Sequence, residues 1–461
     1  MPSTERPKLR ARERRAIVQA LRAGVVPRAG LHHIQVGRSR ELDALMQDIE
    51  QVREGGSAVR FVIGEYGSGK TFFLNLIRLV ALEKGLVAVQ ADLTPDKRLQ
   101  ASGGQARALY AELMRNLSTR TKPDGGALPA MVERFIAQAD QQARIQRRDT
   151  ESVICERLAD LEELVSGYDF AGVLAAYWRA YQEGDSATQA AVLRWLRAEY
   201  PNRTAAKKDL PVSTIIDDEN WYDYLKLMGR FAKLAGYEGL VVLVDEAVNL
   251  YKLNHKTARS RNYEQILRIV NDSLQGTSEG ILFMVGGTPE FLMDPYRGLY
   301  SYEALQTRLA ENQFAGNGLI DLSGPVIRLQ NLAPEDLYVL LANIRRVFVG
   351  SSLDAGRVPD EALEAFMRHC AQTIGDAYFR TPRNTVRAFT DLLAILEQNP
   401  EASVDQLLGH VRLEREANPD LAPLPEASPS NGSQADEPTS EPDPTPASQM
   451  DSDDDLASFS L

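Results

Sequence analysis

The segment Val59-Arg60-Phe61-Val62-Ile63 runs into Gly64-Glu65-Tyr66-Gly67-Ser68-Gly69-Lys70-Thr71, and then into Phe72-Phe73-Leu74-Asn75-Leu76-Ile77. An apolar strand, a Gly-x-x-x-x-Gly-Lys-Thr loop and a helix in that order make a phosphate-binding loop, or P-loop. The glycines at 64, 67 and 69 let the backbone curl so that successive N–H groups point at phosphate oxygens. Lys70 then reaches the β- and γ-phosphates, and Thr71 offers its hydroxyl to Mg²⁺. The helix that follows turns its N-terminus towards the anion. The alternative, a glycine-rich turn that binds nothing, leaves Lys70 without a role.

A P-loop fold needs a second, acidic strand. Gly239-Leu240-Val241-Val242-Leu243-Val244-Asp245-Glu246 has the composition of one, because a continuous apolar run suits a strand buried on both faces of a parallel sheet. Asp245 is placed to hold the Mg²⁺ water shell, and Glu246 to orient and deprotonate an attacking water. That pair favours ATP hydrolysis over binding alone; the other reading is a surface acidic pair capping the next helix. A third strand, Gly280-Ile281-Leu282-Phe283-Met284-Val285-Gly286-Gly287, leads to Thr288 and Pro289, where Thr288 can also serve as a helix N-cap.

The chain has 461 residues, enough for two or three domains. No apolar run approaches the length of a membrane span, and the charged N-terminus lacks a signal-like apolar region, so a cytoplasmic protein with no membrane association is expected. Two distant cysteines, Cys155 and Cys370, read as packing residues in a reducing compartment, and no metal other than Mg²⁺ is expected. The formal charge of −12 is uneven: eleven acidic residues and no Lys or Arg lie between Glu416 and Leu461, so the remainder carries about −1. The front of the chain is basic, with Arg6, Lys8, Arg10, Arg12, Arg14, Arg15, Arg22 and Arg28. These arginines either contact nucleic-acid phosphates, which makes DNA a candidate partner, or form the solvated face of an amphipathic helix docked on the body.

Four segments follow from the patterning: a basic helical stretch over 1–30, a nucleotide-binding domain over 31–330, a helical lid over 331–416 and an acidic tail over 417–461. Lys70 and Asp245 are 175 residues apart, far more than a minimal P-loop core needs, and the excess reads as a helical insertion at about 100–215. Lid helices are expected at about 334–349, 359–373, 382–397 and 403–416. The tail is too polar to fold, and its tip, Asp451 to Leu461, combines acidic residues with Leu456, Phe459 and Leu461 as a tethered partner-binding element, unless the negative tail instead shields the protein's own basic surface or serves solubility alone.

Val36-Gly37-Arg38 with Glu41-Leu42, ahead of the P-loop, is similar to the corresponding motif of AAA+ ATPases of the origin-recognition type. Ala20-Leu21-Arg22-x-Gly24-Val25-Val26-Pro27, the P-loop, Gly286-Gly287-Thr288-Pro289-Glu290-Phe291 and Ser301-Tyr302-x-Ala304-Leu305-x-x-Arg308-Leu309 together resemble the ATP-binding proteins of bacterial BREX phage-defence systems. The resemblance covers about 15–100 and 220–400, and leaves the insertion and tail unexplained. It implies an α/β AAA+ P-loop NTPase that hydrolyses ATP with Mg²⁺, self-associates through its nucleotide site and works beside other defence proteins. It also implies that Gly64 to Phe72 and Val36, Gly37 and Arg38 contact nucleotide, and that Thr71 and Asp245 hold Mg²⁺. Thr288 becomes a sensor of the γ-phosphate, Arg308 a finger entering a neighbour's site, and Arg383, with Arg380 in reserve, the lid arginine. The rival function is a nucleotide-binding scaffold that recruits an effector and rarely turns over.

Overall fold

A computed structural model describes residues 9–162, 167–314, 321–349 and 355–413. The acidic tail and its tip, expected over 417–461, lie outside the described residues. At the centre is a five-stranded, wholly parallel sheet in an α/β, P-loop NTPase-like fold. Its strands are β1 (Ala58–Gly64), β2 (Val87–Asp92), β3 (Leu240–Asp245), β4 (Ile281–Gly287) and β5 (Val326–Leu329), in the spatial order β2-β3-β4-β1-β5. β1 and β3 are thus separated by β4, and the P-loop and the Asp-Glu turn emerge at the same edge of the sheet.

The apolar runs are continuous because both faces of the sheet are covered, and the period of two sorts them. In β3, Leu240, Val242 and Val244 face a cluster shared with the helices of residues 105–209. Val241 and Leu243 face the opposite cluster, where they meet Leu45, Ile49 and Val52 of the helix Ser39–Arg53 and Phe73, Leu74 and Ile77 of the helix Lys70–Glu83. Within the range expected for the insertion lie the helices Gln105–Arg115, Leu128–Gln146, Thr150–Glu162, Gly167–Glu183, Ser186–Leu196 and Arg203–Asp209, with a bridged turn at 118–122 between the first two. Their core is continuous with the Leu240, Val242 and Val244 face of the sheet, where Phe135 and Phe170 both pack edge-on against Phe231 of the helix Trp221–Leu234.

A further cluster holds the helices Pro334–Val349, Asp360–Ile374 and Pro382–Gln398 together. The last expected helix is shorter than its apolar pattern suggested, covering Val404–Leu408. The basic N-terminal helix, Ala11–Arg22, packs into this same cluster through Ile17. Arg14 donates to the carbonyls of Val347 and Phe348 and pairs with Glu397 at 3.2 Å, while Arg22 pairs with Asp391. These two arginines are therefore spent on docking. Cys370 is a buried packing residue, but Cys155 is exposed, contrary to the expectation for both.

Candidate nucleotide site

The P-loop is shaped by two kinds of glycine requirement. Gly67 and Gly69 have left-handed backbones, φ 85° and 86°. A Cβ on Gly69 would meet nothing within 4 Å, so its need is conformational; one on Gly67 would also sit 2.8 Å from the Arg380 carbonyl oxygen. The tight approach at Gly67 is the backbone of Arg380 and Thr381 resting on the loop. Gly64 is extended, and its need is spatial: a Cβ there would lie 2.3 Å from Ser68 Oγ.

Lys70 Nζ donates to the carbonyls of Gly64 and Glu65, both at 2.9 Å, so it is held across the loop that it is meant to serve. Thr71 Oγ1 donates to Asp245 Oδ2 at 2.7 Å, joining the P-loop helix to the end of β3. Asp245 is 2% exposed, and its second oxygen accepts from the Glu246 backbone N–H. Gly286 makes room for it, since a Cβ there would fall 2.3 Å from Asp245 Oδ1. Glu246 is exposed and has a left-handed backbone, φ 59°, a conformation that costs a non-glycine residue about 1–3 kcal/mol.

These groups surround a cavity of about 500 Å³, within the range of small-molecule sites. Tyr66 through Phe72 line it, as do Asp245, Glu246 and Thr288. Val36 and Arg38 line it too, but Gly37, Gly64 and Glu65 do not. Arg38 instead also spans to the β5 exit, bonding the carbonyls of Ser68 and Gln330. Thr288 is 2% exposed and caps the helix Pro289–Met293, accepting from Phe291 N–H at 3.3 Å, so the capping alternative is realised alongside its place on the cavity. Arg383 reaches the cavity from the first turn of the helix Pro382–Gln398, with its guanidinium 6.0 Å from the centre of the Tyr66 ring. Arg380 pairs with Asp376 instead and is not part of the lining. Arg308 is exposed outside its own chain's cavity, donating to Asn271 Oδ1 and the Ala304 carbonyl.

Two contributors escaped the sequence reading. Asp92, at the carboxyl end of β2, stands in register with Asp245 and lines the cavity. Desolvation, then the charge of Asp245, push its carboxyl pKa upwards. The parallel between the strand ends Val-Gln-Ala-Asp92 and Val-Leu-Val-Asp245 was the available signal, because ligands of parallel sheets bind at carboxyl strand ends. The second is an apolar slot built by Leu21, Val25, Val26 and Pro27 with Leu340 and Val386. Residues 20–27 had carried only the resemblance and the basic charge.

The donor set fits its expected ligands. Ser68 Oγ is buried without a partner at the floor of the loop, left-handed glycines open the backbone above it, and Thr71 and Asp245 offer the hard oxygen donors that Mg²⁺ takes. The sequence model of the family described as BREX system ATP-binding protein BrxC/D matches residues 9–412. The chain belongs to that family. No curated protein matches it. Membership gives this BREX ATP-binding protein a role in phage defence that involves binding ATP, and the match spans the N-terminal slot, the insertion and the lid alike. Among the described residues no helix is long and apolar enough to cross a membrane.

Proposed function

We propose that the chain is an AAA+ type, Mg²⁺-dependent ATP hydrolase that switches conformation within a DNA-associated defence complex in the cytoplasm. The observation that carries this reading is Glu246. Its strained backbone presents a carboxylate to the cavity immediately beside the buried Asp245, and strain of this kind persists where a side chain must be aimed. A site that only bound nucleotide would need Asp245 but not this neighbour.

In this reading the base lies in the slot of Val25, Val26 and Pro27, and the P-loop amides and Lys70 take the phosphates. Mg²⁺, when bound by Thr71 and Asp245, neutralises charge on the transferring phosphoryl group. Lys70 exchanges the Gly64 and Glu65 carbonyls for phosphate oxygens. Glu246 accepts a proton from the attacking water. Thr288 reports on the γ-phosphate, Arg383 leaves Tyr66 to stabilise the same charge, and Arg308 acts from a neighbouring copy. Other defence proteins are the partners of the switch.

Glu246→Gln is expected to retain ATP binding while turnover falls at least about 100-fold, in the range of a lost general base. Lys70→Ala is expected to lose nucleotide affinity itself. Equilibrium binding of labelled ATP beside phosphate release separates the two. Near-normal release by Glu246→Gln, or no release by the parent chain with any partner, would leave the scaffold reading in its place.

A further inference from the structure

Arg78, on the P-loop helix about two turns beyond Lys70, is 5% exposed. Its Nη1 donates to the Pro123 carbonyl at 2.7 Å and its Nη2 to the Arg28 carbonyl at 3.4 Å. Its Nε is buried with no partner. One buried guanidinium thus ties two segments almost a hundred residues apart, the loop after the N-terminal helix and a tight turn at 119–124. The turn is closed by reciprocal backbone bonds between Thr119 and Lys122, which leaves Arg120 and Lys122 exposed at its tip. Arg12, 92% exposed, reaches the same turn at Asp124, 4.0 Å away.

These contacts bring the exposed Arg12, Arg28, Arg120 and Lys122 onto neighbouring segments around the buried Arg78, with Asp124 on the same turn paired to Arg12. Among the described residues none of Arg28, Arg120 and Lys122 has an ion-pair partner. Burial, and then the charge of Arg28, lower the pKa of Arg78, a sign that like charges are held together here.

We propose that this ridge, built from Arg12, Arg28, Arg120 and Lys122 on the buried support of Arg78, binds the phosphate backbone of duplex nucleic acid. The cations stand exposed on separate segments, which suits a row of phosphates and the release of their counterions. An enclosed pocket for one small anion would gather them inward. Among the described residues no large apolar side chain is exposed on the turn at 119–124, as insertion into a lipid surface would need. Pro27, next to Arg28, lines the nucleotide cavity, so the ridge adjoins that site without sharing its catalytic groups. The inference therefore stands apart from ATP hydrolysis and is tested without nucleotide.

The experiment is fluorescence anisotropy of a mixed-sequence duplex of about 20 base pairs with the full-length chain, between about 50 and 200 mM salt. The triple variant Arg28→Glu, Arg120→Glu, Lys122→Glu should lose at least about tenfold in affinity at the low-salt end, and the slope of log affinity against log salt should shrink by about 2–3. Asp124→Lys should raise affinity, a gain that misfolding cannot produce. The proposal is overturned if the parent chain does not bind the duplex at about 50 mM salt, if the triple variant keeps the parent's affinity and slope, if Asp124→Lys weakens binding, or if phosphatidylserine vesicles are bound in preference to the duplex.

Discussion

At the scale of single residues, the site is governed by contacts shorter than a methyl group allows. Gly286 lies inside β4, where its backbone is ordinary and alanine would be tolerated anywhere else. Here a Cβ would sit 2.3 Å from Asp245 Oδ1 and 3.0 Å from Leu74 Cδ1. Gly286→Ala must therefore displace the Asp245 carboxylate from Thr71. We expect ATP affinity measured with Mg²⁺ to drop about tenfold or more, the scale of a lost charge-assisted contact, while affinity measured with a chelator changes little. Calorimetric titrations in the two conditions check this, and equal losses in both would contradict the placement of Mg²⁺ between Thr71 and Asp245. The motif itself was readable because its residues are neighbours in sequence. The left-handed turn at Glu246 was not, since no glycine marks it and only the surrounding packing holds it.

At the scale of elements, two clamps decide how helices meet. The last turn of the helix Pro334–Val349 leaves carbonyls without helical partners, and Arg14 supplies donors to those of Val347 and Phe348 from the N-terminal helix. Arg14→Ala should lower stability by about 1.5–3 kcal/mol, the value of hydrogen bonds from a charged donor, read as a shift in the denaturation midpoint. Substituting the exposed Arg15 should shift it far less. The second clamp is Asp169, in the first turn of the helix Gly167–Glu183. It accepts from the backbone N–H and the hydroxyl of both Ser213 and Thr214. Burial pushes its carboxyl pKa up, but these bonds outweigh burial and bring it below the ordinary value. A depressed folded pKa means that the unfolded chain binds the proton first, so this stabilisation is present above the ordinary carboxylate pKa of about 3.9 and is lost as pH falls through the lower folded value. Asp169→Asn should remove that part of the acid dependence, which unfolding curves from neutral pH downwards would reveal.

At the scale of the whole molecule, Arg308 is exposed, and among the described residues its hydrogen bonds go to the Ala304 carbonyl of its own helix and to Asn271. If it serves a neighbouring copy, specific ATPase activity should rise with protein concentration. Mixing Arg308→Ala with Lys70→Ala should then recover part of the activity, because one intact site can meet one intact finger. A constant specific activity across the concentration range, with no recovery on mixing, would remove Arg308 from the reaction.

The sequence by itself determined the central sheet and the glycine loop and acidic strand end that line the cavity, because continuous apolar strands, glycine spacing and the acidic strand end are local codes carried by adjacent residues. Lys70, Thr71, Asp245 and Glu246 converge because parallel strands must deliver their carboxyl ends to one edge. Tertiary structure alone decided the rest. Arg383 and Arg380 stand three residues apart with the same chemistry, and only the docking of the helix Pro382–Gln398 turns one to the cavity and leaves the other to Asp376. The N-terminal arginines read as one basic stretch, yet the packing of Ile17 divides them: Arg14 and Arg22 pair with the lid, while Arg12 stays exposed beside the turn at Asp124. Such divisions depend on contacts between residues far apart in the chain, and no local spacing encodes which side chain will find a partner.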